Sequence, residues 1–336
     1  MSHRPRGAGE HRDPLVSSAR PLPPGARPAP GPIAILPEPT PIIAEAVTAA
    51  GGTLAPLDAD TKAVVWLAGT TEALRDVLAG HPGVEWVQLP LAGVEKHADL
   101  FAEYADRDRP LWTSAKGAYA EPVAEHALTL ALALLRQVPD KARSTRWQDP
   151  REGLSLYGMR VAIVGAGGIA VELMRLLAPF ETHVTIVRRS DGDLPGADRT
   201  VSSEHLLDVL AESDVVVLAA ATTDESRKMI GAAELAAMKP DAVLVNIARG
   251  ALVDSDALLT SLQSGHLWGV GLDVTDPEPL PDGHPLWSHP RCVVTSHSAD
   301  TDEMVEPLLA LRVRHNVAAL LGDGDFIGVV DPRARY

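Results

Sequence analysis

Residues 161–170 of the chain read VAIVGAGGIA, a run of four apolar residues followed at once by a glycine-rich turn. The apolar run predicts a buried strand, and the small residues after it predict a tight turn into a helix. Gly165 is expected to permit the turn, Gly167 to let a pyrophosphate approach the backbone, and Ala170 to keep the helix close to the strand. A helix that begins here offers free N–H groups to phosphates, so the segment predicts a dinucleotide site. The residues expected at this site are Gly165, Gly167, Gly168 and Ile169.

Similar short apolar runs lie on both sides of this segment and alternate with helical patterns. They cover residues 33–36, 63–66 and 86–89 before it, and 183–187, 214–218, 242–245, 269–272 and 292–295 after it. Strands that alternate with helices are typical of parallel sheets, so we predict an α/β protein. The series that starts at Arg160 has the doubly wound pattern of a Rossmann-type domain. A long apolar helix over residues 122–135 lies between the two series and is expected near a domain boundary.

Composition limits the possible partners and compartments. At 336 residues, with 46% hydrophobic residues, the chain is long enough for two domains with apolar cores. The formal net charge of -15 argues against a nucleic-acid partner. No apolar run is long enough for a membrane span, so no membrane partner is expected. The single cysteine, Cys292, can form neither an internal disulfide nor a zinc site, which indicates a reducing cytoplasm and no metal.

Residues 1–31 differ from the rest of the chain because prolines alternate there with arginine, glycine, serine and alanine. Without apolar periodicity, this composition predicts a disordered tail. The arginines in it also suggest a transit peptide. However, Glu10, Asp13 and the density of prolines oppose the amphipathic helix that such a peptide needs.

Three residues with complementary chemistry follow the glycine-rich turn in separate segments: Arg249 in NIARG, Glu278 in DVTDPEP and His297 in VTSH. A guanidinium binds a carboxylate through paired donors, and a carboxylate beside an imidazole orients the ring for proton transfer. Taken singly, each residue has an ordinary interpretation, as a surface cation, a turn acid or a histidine at a strand end. In this order and spacing, however, they resemble the D-isomer-specific 2-hydroxyacid dehydrogenases, in particular the glyoxylate/hydroxypyruvate reductase type, over roughly residues 32–336.

The resemblance implies NAD(P)H-dependent reduction of a small 2-oxo acid, of the glyoxylate or hydroxypyruvate type, to the D-2-hydroxy acid. His297 would act as the general acid/base, Glu278 would hold its other ring nitrogen, and Arg249 would bind the substrate carboxylate and carbonyl oxygen. The family's substrate-binding loop corresponds to Ala92, Gly93 and Val94. The alternative interpretation of this loop is a plain turn between a strand and a helix.

The cofactor preference is predicted from the end of the second strand of the doubly wound series. Arg188, Arg189 and Ser190 stand where an NAD site would offer an acidic residue to the ribose hydroxyls. Arginine suits a 2′-phosphate instead, so NADP is expected to be preferred, with NAD possible and a solvated arginine pair as the alternative. The resemblance assigns the remaining cofactor contacts to Thr223, Ala248 and Asp273.

The resemblance also implies the domain organisation. The dinucleotide-binding domain is expected over residues 114–299, and a smaller flavodoxin-like parallel-sheet substrate domain over residues 32–113 and 300–336. Trp147 matches an arm that relatives use for dimer contacts, which predicts a homodimer by analogy.

Two other functions stay open at this stage. One is a phosphoglycerate dehydrogenase-type oxidation, although residues 66–69, WLAG, offer no lysine or arginine to a phosphorylated substrate. The other is a non-catalytic, dinucleotide-sensing scaffold like the corepressors that share this fold. A complete set of Arg249, Glu278 and His297 argues against the scaffold, because catalysis requires these residues and a scaffold does not.

Overall fold

The computed structural model describes residues 22, 25–147, 149, 152–189, 192–322 and 324–333. Its strands are β1 (Ile33–Leu36), β2 (Ala63–Trp66), β3 (Trp86–Gln88), β4 (Leu111–Thr113), β5 (Arg160–Val164), β6 (His183–Arg188), β7 (Arg199–Ser202), β8 (Val215–Leu218), β9 (Val243–Asn246), β10 (Gly269–Leu272), β11 (Cys292–Val294) and β12 (Val329–Val330). Its α-helices are α1 (Pro41–Ala49), α2 (Thr71–Gly80), α3 (Ala98–Tyr104), α4 (Ala120–Leu135), α5 (Val138–Arg143), α6 (Gly168–Leu177), α7 (Leu206–Glu212), α8 (Ala232–Ala237), α9 (Ser255–Gln263), α10 (Pro285–Ser288) and α11 (Asp302–Leu321).

The chain divides into two compact units. Unit 1 combines the segment up to Tyr119 with the segment from Thr301 onward, and unit 2 is the continuous segment Ala120–Asp300. The first boundary between the units lies after Tyr119, whereas the sequence predicted a boundary before residue 114. The reason is that Ala115, Ala118 and Tyr119 are buried in the core of unit 1.

The sheet of unit 1 has the order β1-β2-β3-β4-β12. Strands β1 to β4 are parallel, and Leu54 adds a parallel bridge to Ile33 on the side of β1 away from β2. With this bridge the parallel part follows the flavodoxin-like order 2-1-3-4-5. One strand departs from the expected all-parallel sheet, because β12 runs antiparallel to β4, with Val329 opposite Thr113.

Alternation along the strands of unit 1 fills a core on each face of the sheet. Ile33 and Val65 face the first core, to which α1 and α11 contribute. Val64 and Trp66 face the opposite core, to which α2 and α3 contribute. Strands buried on both faces read as continuous apolar runs, as observed in the sequence.

Unit 2 contains a fully parallel sheet with the order β11-β10-β9-β8-β5-β6-β7. The strand order reverses between β5 and β8, and ligands of such sheets bind at this switch point, outside the carboxyl ends of the strands. The loops after β5, β9, β10 and β11 all leave from that edge. They contain Gly165, Arg249, Asp273 and His297, respectively.

Residues 25–31 differ from the expected disordered tail. The Arg109 guanidinium donates to the carbonyl oxygens of Ala26, at 2.6 Å, and Arg27, at 2.7 Å. The backbone N–H of Ala29 donates to Glu85 over 2.7 Å. These contacts join residues far apart in the sequence, so local composition gives no sign of them. The rest of the expected tail, apart from Leu22, lies outside the described residues.

Candidate active site

His297 and Glu278 form a hydrogen-bonded pair in unit 2. His297 Nδ1 lies 2.7 Å from Glu278 Oε1, and the two side chains are 47% and 43% exposed. An ionised carboxylate only accepts, so Nδ1 carries the hydrogen and Nε2 remains for proton exchange with a bound molecule. The pair therefore has the arrangement needed for acid/base work.

The backbone around His297 adopts an uncommon turn. Ser296 and His297 have φ angles of 51° and 53°, in the left-handed region that non-glycine residues rarely adopt. The N–H of His297 donates to the carbonyl oxygen of Asp273 over 2.6 Å. The imidazole is thus presented on a constrained turn at the carboxyl edge of the sheet.

The carboxylate of Asp273 is the main anchor of this turn. Asp273 is only 2% exposed, and its carboxylate accepts hydrogen bonds from Thr295 Oγ1 at 2.6 Å and from the N–H groups of Ser298 at 2.8 Å and Ala299 at 3.1 Å. Burial alone would raise the pKa of Asp273, but the hydrogen bonds from these groups and from His126 lower it below its ordinary value. Asp273 was expected to contact the cofactor, and the structure shows its carboxylate engaged in the loop that carries His297.

Arg249 lies directly before a close contact between two loops. A side chain on Gly250 would overlap the carbonyl group of Thr275 and would lie 2.6 Å from the nitrogen of Asp276, so only glycine fits there. This approach brings the Arg249 segment against the loop that joins Asp273 to Glu278. The Arg249 Nη1 donates to the carbonyl oxygen of Ala248 over 2.7 Å, and Asn246 Nδ2 donates to the Arg249 carbonyl oxygen over 2.9 Å.

A third carboxylate, Asp300, interacts electrostatically with Asp273, His297 and Arg249. Burial raises the pKa of Asp300 and the charge of Asp273 adds to the rise, while His297 and Arg249 oppose it. The site therefore combines two cationic or protonatable groups with several acids. Among these groups, the guanidinium of Arg249 offers the planar, paired donors that suit the carboxylate of a small ligand.

The glycine-rich turn fits a dinucleotide. Gly165 has φ 121°, and a side chain there would overlap the carbonyl group of Ala219, at the end of the neighbouring strand β8. A side chain on Gly167, by contrast, would meet nothing within 4 Å. That open space lies at the amino terminus of α6, where Gly168 and Ile169 begin the helix and the first N–H groups have no partner within it. The turn thus leaves room and donors for a pyrophosphate.

The other expected cofactor residues lie around the same edge. Arg188 ends β6, and its Nη1 lies 3.5 Å from the carbonyl oxygen of Gly192. Arg189 follows it, with Nη1 3.9 Å from Glu225 Oε2. The N–H of Thr223 donates to Ser226 Oγ over 2.8 Å. Ala248 follows β9 and is buried, and Ser190 lies outside the described residues.

The expected substrate loop belongs to unit 1. Ala92 is exposed, Gly93 is half-buried and Val94 is buried in the core on the α2 side of the sheet. The carbonyl oxygen of Leu91, just before the loop, accepts from the N–H of Ala115 over 3.1 Å. The role of this loop in substrate binding stays a prediction.

His126 also belongs to this group, although it was not expected from the sequence. Its Nε2 lies 2.9 Å from Thr295 Oγ1 and 3.5 Å from Asp273 Oδ1. A histidine on an apolar helix gives no local signal of such a contact, since its partners lie more than a hundred residues later.

Among the described residues, no group of three or more histidine, cysteine or acidic side chains is arranged to hold a metal ion. In the same part of the chain, no helix combines the length and apolarity needed to cross a membrane.

Comparison with known proteins places this chain in a family. The profile described as "D-isomer specific 2-hydroxyacid dehydrogenase, NAD binding domain" matches residues 128–299. An uncharacterised protein in the proB 3′ region of Corynebacterium melassecola is 35% identical over 258 residues, 75% of this chain and 84% of the relative. A glyoxylate reductase from Aeropyrum pernix is 30% identical over 255 residues, 73% of this chain and 75% of the relative.

A solved structure agrees with this assignment. The D-isomer specific 2-hydroxyacid dehydrogenase from Xanthobacter autotrophicus Py2, in complex with NADPH and MES, superposes with a TM-score of 0.75 at 25% identity, covering 92% of this chain and all of that chain. The chain therefore belongs to the D-isomer-specific 2-hydroxyacid dehydrogenase family and is an NAD(P)-dependent oxidoreductase.

Proposed function

We propose that the protein reduces a small 2-oxo acid of the glyoxylate or hydroxypyruvate type to the D-2-hydroxy acid, with NADPH as the preferred reductant. The observation that carries the proposal is the 2.7 Å contact between His297 and Glu278, in the same unit as the glycine-rich turn. The glyoxylate reductases among the relatives support the substrate class.

The residues divide the work as follows. The nicotinamide cofactor, when bound, supplies the hydride for the carbonyl carbon. His297 donates the proton from Nε2 to the carbonyl oxygen. Glu278 holds Nδ1 and stabilises the charged imidazole before the transfer. Arg249 binds the substrate carboxylate and carbonyl oxygen through its paired donors, which orients the carbonyl and stabilises the charge that develops on its oxygen.

A panel of substrates tests this proposal. Purified protein would be assayed with glyoxylate, hydroxypyruvate, pyruvate and phosphohydroxypyruvate, each with NADPH and NADH. We expect turnover with glyoxylate or hydroxypyruvate. Turnover restricted to phosphohydroxypyruvate would favour the phosphoglycerate type. Dinucleotide binding without any turnover would favour a scaffold.

Two substitutions test the residue roles. His297→Ala and Arg249→Ala should each lower kcat/KM by about a hundredfold or more while the melting temperature stays near that of the parent protein. His205→Ala is a matched control, because that histidine is 58% exposed and lies directly before α7, with Nδ1 3.5 Å from Asp208 Oδ2. Near-native turnover in either site variant would refute the assignment.

The preference for NADPH is proposed from Arg188 and Arg189. A guanidinium binds the 2′-phosphate with charge-assisted hydrogen bonds, and the NADPH in the Xanthobacter relative agrees with this choice. Titration of wild-type protein and Arg188→Asp with both nucleotides measures the preference. We expect the substitution to weaken NADPH binding more than NADH binding, and an unchanged ratio of the two dissociation constants would contradict the proposal.

A further inference from the structure

His126 lies on α4, and its ring reaches the two side chains that shape the turn around His297. His126 Nε2 is 2.9 Å from Thr295 Oγ1, which in turn lies 2.6 Å from Asp273 Oδ1. His126 and Thr295 are half-buried and Asp273 is buried. Three polar groups from α4 and from the ends of β10 and β11 therefore form one hydrogen-bonded chain inside unit 2.

The direction of this chain follows from the number of hydrogens available. The low pKa of Asp273 keeps its carboxylate ionised at neutral pH, so the carboxylate only accepts. The hydroxyl of Thr295 has a single hydrogen and donates it to Asp273. The contact with His126 then requires a hydrogen on His126 Nε2. His126 is thus the donor at the head of the chain.

The Asp273 carboxylate, at the end of this hydrogen-bonded chain, holds the backbone on the carboxyl side of His297. It accepts from the N–H groups of Ser298, at 2.8 Å, and Ala299, at 3.1 Å. Thr295 lies on the amino side of the turn and donates to the same carboxylate. Ser296 and His297 adopt a left-handed conformation that non-glycine residues take up at a cost, so the turn depends on such outside contacts.

We propose that His126 is a positioning residue for His297. By donating from Nε2, it keeps the Thr295 hydroxyl directed at Asp273, and the Asp273 carboxylate then holds the turn in which His297 meets Glu278. The part of this inference that concerns turnover rests on the proposed function. The part that concerns the hydrogen-bonded chain is independent of it.

The tautomer of His126 is the first test, and it needs no substrate. Long-range proton–nitrogen NMR spectra of protein labelled with ¹⁵N-histidine distinguish a hydrogen on Nε2 from one on Nδ1, and loss of one set of signals in His126→Gln assigns them. We expect His126 to carry a hydrogen on Nε2. If the ring were protonated on Nδ1 alone, His126 Nε2 could only accept from Thr295, and the proposal would be overturned.

Two substitutions at His126 form the second test. His126→Leu removes the donor but keeps much of the bulk, whereas the amide of His126→Gln reaches a similar position and restores an N–H donor. In the Leu variant, kcat should fall by roughly ten- to a hundredfold while the substrate KM changes little; the Gln variant should recover most of the loss. Equal losses in both variants, with lowered melting temperatures, would assign His126 to packing alone.

Thr295 supplies a matched pair. Thr295→Val interrupts the hydrogen-bonded chain from His126 to Asp273, whereas Thr295→Ser keeps the hydroxyl. Only the Val variant should therefore lower kcat. The double variant His126→Leu/Thr295→Val should be no slower than the worse single variant, because each substitution interrupts the same hydrogen-bonded chain. Additive losses would contradict the proposal.

The NMR signals of the His297 ring separate this proposal from the proposed function. They should shift in His126→Leu and return in His126→Gln, whether or not any 2-oxo acid is reduced. If wild-type protein reduced none of the acids while these shifts were observed, the proposed function would fail and the positioning role would stand. If the His297 signals of His126→Leu did not shift, the positioning role would be refuted.

Discussion

At the level of single residues, Gly250 decides how closely the Arg249 segment can approach the loop that leads to Glu278. A methyl group there would overlap the carbonyl group of Thr275, and the obstacle is backbone and not a flexible side chain. Gly250→Ala should therefore lower stability by about 2 kcal/mol and reduce kcat, because Arg249 and Glu278 move apart. Thermal melting and steady-state kinetics measure both effects.

Gly80→Ala is the control for this prediction. A side chain at Gly80 meets nothing within 4 Å, and the residue ends α2 in unit 1. The Gly80→Ala protein should therefore melt at or slightly above the wild-type temperature, since alanine favours the helical conformation. If Gly250→Ala behaved like Gly80→Ala, the close approach of the two loops would be wrong.

His97 gives unit 1 a specific sensitivity to acid. It is buried at 1% exposure, with Nδ1 3.0 Å from Thr71 Oγ1. Burial, with a smaller contribution from the charge of Lys96, lowers its pKa from 6.5 to about 4. The folded state thus binds the proton less readily than the unfolded state. The stabilising effect is complete above pH 6.5 and is lost as the pH falls from 6.5 through about 4.

The expected cost of acidification follows from this difference. Between neutral pH and about pH 4, His97 should account for about 3 kcal/mol of lost stability. Urea unfolding at about pH 7 and pH 4.5 would compare wild type with His97→Gln, which cannot take up the proton. The shift of the urea midpoint between the two pH values should be clearly smaller in the variant than in wild type or in exposed His205→Gln. Equal shifts in all three proteins would disprove the prediction.

The candidate site was partly readable residue by residue. The contact between Glu278 and His297 agrees with the arrangement expected from the sequence. The engagement of Asp273 in the turn after β11 and the contact from His126 were not foreseen. Both depend on hydrogen bonds between segments that meet only when the sheet is assembled, and composition or periodicity does not encode such contacts.

At the level of elements, the buried strands were readable from sequence because parallel strands covered on both faces form continuous apolar runs. The bounds of β1, β2 and β10 agree with the expected ones. The missed strands are short or lie at sheet edges. They are β4 with three residues, β7 with four, of which Arg199 is exposed, and β12 with two. Their pairing is decided by neighbours that a local pattern does not show.

The glycines at the start of α6 should separate binding from folding. Gly167→Ala places a methyl group in open space, so the melting temperature should stay close to that of wild type while NADPH binding weakens about tenfold or more. Gly165→Ala meets the Ala219 carbonyl group and the strained φ of 121°, so it should lower stability by a few kcal/mol. Melting curves and fluorescence titration with NADPH measure the two effects. Normal NADPH affinity in Gly167→Ala would argue against a pyrophosphate at this turn.

At the level of the whole molecule, Arg27 ties the start of the described chain to the end of α11. Its guanidinium donates to the carbonyl oxygens of Ala319 at 2.5 Å, Gly322 at 2.8 Å and Gly324 at 2.8 Å. The last carbonyl groups of a helix have no partner within it, and a cation there also interacts favourably with the helix dipole. Arg27 thus acts as a distant cap for α11.

Removal of this cap should be measurable. Arg27→Ala should lower stability by about 1 to 2 kcal/mol, because hydrogen bonds to charged groups are among the stronger ones. Arg314→Ala, an exposed arginine on α11 itself, is the control and should have little effect. A deletion through residue 31 should melt lower than a deletion through residue 21. Identical melting temperatures for the two deletions would contradict the capping role.

The interrupted path of unit 1 has a consequence for the order in which the protein is made. Unit 2 is complete once Asp300 has been synthesised, whereas unit 1 still awaits α11, which covers one face of its sheet, and β12, which pairs with β4. Domains generally fold as units during translation. The half that emerges from the ribosome first is therefore the last to acquire its full core, and its exposed apolar face is where a nascent chain of this protein needs protection.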